Sequence, residues 1–129
     1  MAVIQLIAPS GFCTDPQAAQ RGIARLQQWG HQVRGSEIIT RRFQRFAGTD
    51  AERLAELNGL AKLSDDVDIV LAVRGGYGAS RLLADIDYQG IQERFQRKPV
   101  AFCGHSDFSA IQLALLAQSG FTSFSGPML

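Results

Sequence analysis

Short apolar runs alternate with helical patterns along the whole chain, and this alternation restricts the possible folds more than any other feature. Five runs predict strands, at residues 3–8, 33–39, 69–73, 99–103 and 122–124. Strands that are joined by helices lie parallel to one another in a sheet. The pattern therefore predicts an α/β fold, with a mostly parallel sheet flanked by helices. Ligands of such sheets bind beyond the carboxyl ends of the strands.

Two of the helices have clear start signals. Asp15 stands directly before Pro16, which is the arrangement of an N-cap residue followed by proline in the first helical position. It predicts a helix over residues 16–29. Thr49 and Glu52 have the spacing of a capping box and predict the start of a second helix. Further helical patterns lie at residues 80–86 and 108–118.

Length, charge and cysteine content limit the possible functions. A chain of 129 residues is the size of one domain, so we expect a single domain over residues 1–129. The net charge of +1 provides no field that would attract nucleic acid or an anionic membrane, and we expect neither as a partner. Two separate cysteines provide no disulfide framework. No metal-ligand pattern occurs, so no metal and no cofactor are expected.

The two ends of the chain lead to further expectations. The first residues lack the basic start and the long apolar run of a signal peptide, which predicts a cytoplasmic protein. The last three residues, Pro127, Met128 and Leu129, are apolar, which suggests a piece of a longer protein. We expect this end to be exposed and to favour self-association, as in a homodimer.

Three loops follow predicted strands and should meet at one edge of the sheet. They are the first loop (residues 9–13), the glycine loop (residues 74–78) and the elbow (residues 104–107). In the elbow, Gly104 permits a tight turn, and Ser106 would project from it like the serine of a G-x-S nucleophile elbow. The alternative is that Ser106 or Asp107 only caps the following helix.

A serine nucleophile needs a base, and the two histidines are poor candidates. His105 is the neighbour of Ser106 on a sharp turn, where adjacent side chains point apart. His31 should lie at the opposite edge of the sheet. In the glycine loop, Gly75 and Gly76 would let the backbone approach a substrate. Arg74 suits either a substrate carboxylate or a structural salt bridge.

Five segments of the chain are distinctive: Leu-Ile-Ala-Pro-Ser-Gly at 6–11, Arg-Phe-Ala-Gly-Thr at 45–49, the stretch 71–81 around the glycine loop, Gly-His-Ser-Asp at 104–107 and Phe-Ser-Gly-Pro-Met at 124–128. Together they resemble the LD-carboxypeptidase family of murein tetrapeptide carboxypeptidases, over essentially all 129 residues. The resemblance implies a domain similar to flavodoxin or to class I glutamine amidotransferases. It also implies a Ser-Glu-His peptidase that removes the terminal D-alanine from the L,D bond of cytoplasmic muropeptides.

The resemblance also implies roles for individual residues. Ser106 matches the nucleophile, Asp107 supplies one oxyanion-hole N–H, and Gly75 or Gly76 supplies the other. Arg74 and Tyr77 become candidates for substrate binding. The family's Glu and His lie in a C-terminal domain that this chain lacks. We therefore expect that domain to be a partner and the chain alone to be inactive.

Two other functions remain open. The first is a peptidase of the microcin-immunity type in the same superfamily, which would cleave an acyl-sulfamoyl adenylate or a peptide-nucleotide antibiotic. The second is a non-catalytic module, in which Arg74 and the glycine loops bind an anionic ligand and Ser106 only caps a helix.

Overall fold

Five short strands form one parallel sheet in the computed structural model, which describes residues 1–129. Their order across the sheet is β2-β1-β3-β4-β5, and every neighbouring pair is parallel. This confirms the predicted α/β fold. All five strands consequently end at the same edge, where the three loops follow β1, β3 and β4. The strands are β1 (Val3–Ile7), β2 (Gln32–Arg34), β3 (Ile69–Ala72), β4 (Ala101–Gly104) and β5 (Phe124–Ser125).

Four α-helices cover the two faces of the sheet. Helix α1 packs on one face, and α2, α3 and α4 pack on the other. None of them is both long enough and apolar enough to cross a bilayer. The helices are α1 (Pro16–Gln28), α2 (Asp50–Asn58), α3 (Tyr88–Arg97) and α4 (Ser109–Ser119).

The two predicted helix starts are confirmed. The Asp15 carboxylate accepts a hydrogen bond from the backbone N–H of Ala18 at 2.9 Å. Thr49 and Glu52 form the reciprocal capping box, with distances of 3.0 Å and 3.1 Å. In each case a side chain satisfies a backbone N–H that the first turn of a helix leaves without a partner.

Aromatic rings fill the core between the sheet and the three helices of its larger layer. Phe102 on β4 is completely buried, and its ring centroid lies 4.8 Å from that of Phe108. Phe95 on α3 and Phe121 before β5 are also 4.8 Å apart, and each ring lies 6.2 Å from Phe102. Phe102 is therefore the centre of an aromatic cluster that joins β4 to the helices.

The predicted strand at residues 33–39 is wrong beyond Arg34. Gly35 adopts a left-handed conformation with φ of 77°, which ends β2. The chain then forms a 3₁₀ turn at Ser36–Thr40, and this turn buries Ile38 and Ile39 against the face that α1 covers. Ile38 and Ile39, which the sequence analysis assigned to the strand, are therefore buried by a 3₁₀ turn instead.

The predicted helix at residues 80–86 is also wrong. Two 3₁₀ turns occupy this segment, at Ala79–Arg81 and Leu83–Asp85. Ile86 is extended and ends the second turn, and Asp87 then caps the next helix by accepting from the N–H of Gly90 at 2.9 Å. That next helix, α3, was not predicted.

The apolar end of the chain is less exposed than predicted. Gly126 N–H donates to Gly104 O at 3.2 Å, and Leu129 N–H donates to Ala72 O at 3.1 Å. Met128 packs against the larger core and Leu129 against the smaller one. Both side chains are half-buried, and of the last three residues only Pro127 is exposed.

Replacing Phe102 with Ala should lower the free energy of unfolding by about 4 kcal/mol, because a fully buried ring is exchanged for a cavity. Phe124→Ala is the matched control, since that ring is 58% exposed and should contribute little. Urea unfolding followed by circular dichroism measures both values. Equal losses in the two variants would contradict the assignment of Phe102 to the centre of the core.

Candidate active site

Backbone and side-chain hydrogen bonds join the three predicted loops at the carboxyl edge of the sheet. Gly11 N–H in the first loop donates to Gly75 O in the glycine loop at 2.9 Å. The Asp107 carboxylate in the elbow accepts from the N–H of Ala79, directly after the glycine loop, at 2.9 Å. The three loops that were singled out from the sequence therefore form one site.

Ser106 has an unusual backbone conformation at the predicted position. It lies between β4 and α4 with φ of 62°, and Gln44 is the only other non-glycine residue with a positive φ. Left-handed backbone in a residue other than glycine costs free energy and is concentrated at functional sites. The serine is exposed, as a reacting group must be. The tight strand-to-helix turn expected from the sequence is present, and its backbone is strained at the serine.

Neither Ser106 nor Asp107 caps the following helix. No side chain makes a cap hydrogen bond at the start of the 3₁₀ turn Ser106–Phe108 or at the start of α4. The Asp107 carboxylate bonds to the backbone of Ala79 on another loop instead. Simple capping therefore does not explain why these two residues occupy the elbow.

Gly75 lies directly against Ser106. A Cβ atom built on Gly75 would lie 2.9 Å from Ser106 Cβ, 3.1 Å from its Oγ and 3.4 Å from Asp107 N. Only glycine permits this approach of the main chain. A Cβ on Gly76 would instead meet Gly11, with 3.3 Å to Gly11 Cα. Of the two glycines, Gly75 is the one in contact with the serine.

Arg74 and Tyr77 lie in the same loop but do not contact Ser106. Arg74 Nη1 donates to Phe12 O at 3.0 Å, and the guanidinium has no carboxylate partner, so the alternative of a structural salt bridge is wrong. The Tyr77 ring is 48% exposed and packs beside Phe46 at 5.9 Å between centroids. Both side chains border the site.

The structure brings no base to Ser106. No hydrogen bond joins His105 to the serine, and His31 lies at the opposite edge, where its Nδ1 accepts from Ala2 N–H at 3.1 Å. Cys103 is half-buried rather than fully buried. Burial raises the pKa of the Cys103 thiol, which keeps it in its protonated and less nucleophilic form. No three His, Cys, Asp or Glu side chains are close enough together to hold a metal ion.

A buried arginine that was missed in the sequence organises the loops. Arg53 on α2 is completely buried. Its Nε donates to Gly48 O at 3.1 Å, and its Nη1 donates to Pro9 O at 2.7 Å and to Gly78 O at 3.0 Å. Its Nη2 forms an ion pair with Asp50. One side chain thus fastens the first loop and the end of the glycine loop to α2. In the sequence, Arg53 precedes the apolar Leu57 by one helical turn, which was the available indication.

A second ion pair, Glu56–Arg41, binds the backbone of Ala8, directly before the first loop. The Glu56 carboxylate accepts from Ala8 N–H at 2.7 Å and pairs with Arg41 at 3.1 Å. Burial raises the pKa of Glu56 above its usual range, although the hydrogen bond from Ala8 and the charge of Arg41 oppose this. Arg41 also donates to Ala8 O at 3.2 Å. The exit of β1 is therefore held on both its N–H and its C=O.

Known proteins are similar to this chain in sequence and in fold. The family profile described as the LD-carboxypeptidase N-terminal domain matches residues 4–126. The chain belongs to the LD-carboxypeptidase family. It is 32% identical over 126 residues to a probable murein peptide carboxypeptidase of Bacillus subtilis, covering 98% of this chain and 38% of that protein. The Microcin C7 self-immunity protein MccF of Escherichia coli is 28% identical over 109 residues, which is 84% of this chain and 30% of that protein.

A solved LD-carboxypeptidase has the same fold. The crystal structure of muramoyltetrapeptide carboxypeptidase from Oxalobacter formigenes superposes with a TM-score of 0.83 and 39% identity, over 98% of this chain and 40% of that one. The chain thus spans about two fifths of the length of the relatives with carboxypeptidase names.

Replacing Arg53 with Ala should lower the free energy of unfolding by about 3 kcal/mol or more, because three backbone carbonyls lose a buried donor. The Gly11 amide should also exchange its hydrogen faster as the first loop loosens. Arg81→Ala is the control: this exposed arginine shares Asp50 with Arg53 and should change the stability little. Urea unfolding and amide exchange by NMR provide the measurements. If Arg53→Ala leaves both unchanged, Arg53 does not organise the loops.

Proposed function

We propose that this chain is the nucleophile-bearing domain of a serine-type LD-carboxypeptidase. The full enzyme would hydrolyse the L,D bond to the terminal D-alanine of murein tetrapeptides in peptidoglycan recycling. The observation that carries the proposal is the contact between Gly75 and Ser106, in which a strained, exposed serine lies against a glycine backbone. Membership in the LD-carboxypeptidase family supports the choice of reaction.

In the proposed reaction, Ser106 Oγ attacks the carbonyl carbon of the amide bond that precedes D-alanine. The carbonyl oxygen gains negative charge and accepts hydrogen bonds from the N–H of Asp107 and the N–H of Gly75 or Gly76. Donors held ready for a developing oxyanion are a major source of catalysis. A Cβ built on Gly75 would lie 3.4 Å from Asp107 N. This closeness favours Gly75 over Gly76 as the second donor. D-alanine leaves as the amine, and water then releases the peptide from the serine.

Arg74 and Tyr77 complete the proposed binding site. A carboxypeptidase must recognise the terminal carboxylate of its substrate next to the scissile bond. Arg74 has no carboxylate partner and directly precedes Gly75, so its planar guanidinium suits this role. Tyr77 presents an exposed ring on the same loop. No metal or cofactor takes part in this scheme.

The general base is proposed to come from outside this chain. A serine hydroxyl is a weak nucleophile until a base accepts its proton, and neither histidine bonds to Ser106. The carboxypeptidase relatives are about two and a half times as long as this chain, since 38–40% of their length is covered. Their remaining part would supply the Glu and His of the triad as a C-terminal domain. The chain alone would then be inactive.

The proposal also includes the cellular setting and the assembly. The enzyme would act on muropeptides in the cytoplasm and would form a homodimer. Exposed apolar side chains on α4 and β5 support an assembly surface: Leu113 is 65% exposed, Leu116 51% and Phe124 58%. Large apolar side chains grouped in this way favour association.

The second candidate is a peptidase of the microcin-immunity type. The similarity to the MccF self-immunity protein favours it, because the same elbow could attack an acyl-sulfamoyl adenylate. A non-catalytic module that binds an anionic ligand fits less well. In that case Ser106 would be expected to cap a helix, and it does not.

An assay of D-alanine release tests the function directly. The chain alone should release no measurable D-alanine from a murein tetrapeptide, whereas the full-length enzyme should release it. Ser106→Ala in the full-length enzyme should lower kcat by about 10⁴-fold or more, because the covalent step is lost. An acyl-sulfamoyl adenylate tested in parallel distinguishes the second candidate. Robust release by the chain alone that depends on Ser106 would place the base within residues 1–129.

A second assay tests the contact at the serine. Gly75→Ala in the full-length enzyme should lower kcat by about 10²-fold or more, because the new methyl group displaces Ser106 and the oxyanion donors. Gly59→Ala is the matched control, since a Cβ at Gly59 meets no atom within 4 Å. Both variants are compared by kcat and by urea unfolding. Wild-type kcat in Gly75→Ala would show that Gly75 is not part of the oxyanion hole.

A further inference from the structure

We propose that Arg42 and Arg45 form a carboxylate-binding subsite on the arginine loop (residues 41–46). The subsite would hold an acidic side group of the peptide, on the N-terminal side of the bond that is cut. This inference rests on the proposed function, because it assigns part of the substrate to a surface beside Ser106. The residues that carry it are separate from the nucleophile, the oxyanion hole and Arg74.

The arginines of the chain fall into two groups. Six of them form ion pairs with carboxylates: Arg34, Arg41, Arg53, Arg81, Arg94 and Arg97. Five have no carboxylate partner. Two of these lie on the exposed surface of α1, and the other three, Arg42, Arg45 and Arg74, lie on the loops at the carboxyl edge. Three of the five arginines without a carboxylate partner thus lie at the edge that carries the site.

Arg42 is held in a defined orientation. Its guanidinium carbon lies 3.9 Å from the centroid of the Phe12 ring, a close cation–π stack. Its Nε donates to Gln44 O at 2.9 Å. Neither Nη atom has a partner within the chain. The two outer nitrogens of a fixed fork are therefore free, which is the geometry that binds a carboxylate with two parallel hydrogen bonds.

Gln44 adopts a strained conformation that supports this orientation. Its φ is 55°, and the only other non-glycine residue in this backbone region is Ser106. Phe43 and Phe46 exchange two backbone hydrogen bonds of 2.9 Å around it, which closes a tight turn. This turn directs the carbonyl of Gln44 to Arg42. Strain of this kind persists at functional sites, and here it accompanies a preoriented arginine.

Arg45 and an open cleft lie next to the stacked pair. The Arg45 guanidinium carbon is 6.0 Å from the centroid of the exposed Tyr77 ring. Its carbonyl accepts from Phe12 N–H at 3.2 Å, so the arginine loop and the first loop are joined through their backbones. A cleft of about 270 Å³ opens between residues 12–16 and 39–42, and Arg42 forms part of its wall.

The hydrogen bonds connect the subsite to the serine. Phe12 is bonded to Arg45, its neighbour Gly11 is bonded to Gly75, and Gly75 lies against Ser106. The first loop therefore joins the glycine loop to the arginine loop, and the proposed peptide would cross it between Ser106 and Arg42. A carboxylate is the group that we assign to this place. A phosphate would use the same nitrogen fork, and the experiment separates the two.

Binding measurements on the chain test the inference. The probes are two synthetic tetrapeptides that end in D-alanine and differ in one internal side group, a free carboxylate in the first and a carboxamide in the second. Kd is measured by NMR titration. The wild-type chain should bind the carboxylate peptide about tenfold more tightly than the carboxamide peptide. Arg42→Gln should remove this difference and leave the Kd of the carboxamide peptide unchanged.

Two more variants and one more probe complete the test. Arg42→Lys should lose most of the difference, because it keeps the charge but not the fork. Arg45→Gln should lose part of it, and Arg25→Gln on α1 is the matched control and should lose none. Adenosine monophosphate should bind more weakly than the carboxylate peptide.

The outcomes distinguish the inference from the proposed function. Equal binding of the two peptides by the wild type, no binding of either, an unchanged preference in Arg42→Gln, or tighter binding of the nucleotide would each overturn the subsite. The proposed function is judged separately, by Ser106-dependent release of D-alanine in the full-length enzyme. That release can be present while the subsite is absent, and the reverse also holds.

Discussion

The buried guanidinium of Arg53 is the interaction on which the arrangement of the site depends. A charge without contact with water is costly unless every donor finds an acceptor. Arg53 satisfies its donors with three backbone carbonyls, from Pro9, Gly48 and Gly78, and with the carboxylate of Asp50. Separation of the loops would take away the carbonyls of Pro9 and Gly78, two of the acceptors of this buried charge, so the electrostatics of one side chain favour the closed arrangement.

That arrangement makes the contact at Ser106 possible. Gly75 is held from one side by Gly11 and from the other by its approach to the serine, while Asp107 bonds to Ala79 just beyond the glycine loop. Asp107 thus has its backbone nitrogen close to Gly75, while its carboxylate bonds to the backbone just after the glycine loop. The elbow follows β4 and the glycine loop follows β3. The two meet where Gly75 lies against Ser106 and where the Asp107 carboxylate accepts from Ala79 N–H. The local strain at Ser106 is maintained by this surrounding network.

The sequence was informative where the determinants are local. Apolar runs and capping residues predict the parallel α/β fold, and the G-x-S pattern alone makes Ser106 a candidate nucleophile. The error at residues 33–39 arose where Ile38 and Ile39 are buried by a 3₁₀ turn, and the error at 80–86 arose where two 3₁₀ turns flank the buried Leu82. Turns of this kind follow neither the period of a strand nor that of an α-helix. The roles of Arg53 and of the Glu56–Arg41 pair depend on partners far along the chain, and no local pattern specifies them.

The glycines at the two edges of the sheet differ in how closely other atoms pack against them. At the edge with the site, a Cβ on Gly11, Gly75 or Gly78 would come within about 3 Å of another atom. Gly30, Gly59 and Gly120 lie in connections that lead into strands, at the opposite edge, and nothing lies within 4 Å of a Cβ built there. Insertions are tolerated best where few contacts are broken. Over evolutionary time, and equally in the laboratory, the chain can therefore be lengthened, tagged or fused at one edge while the other keeps its shape.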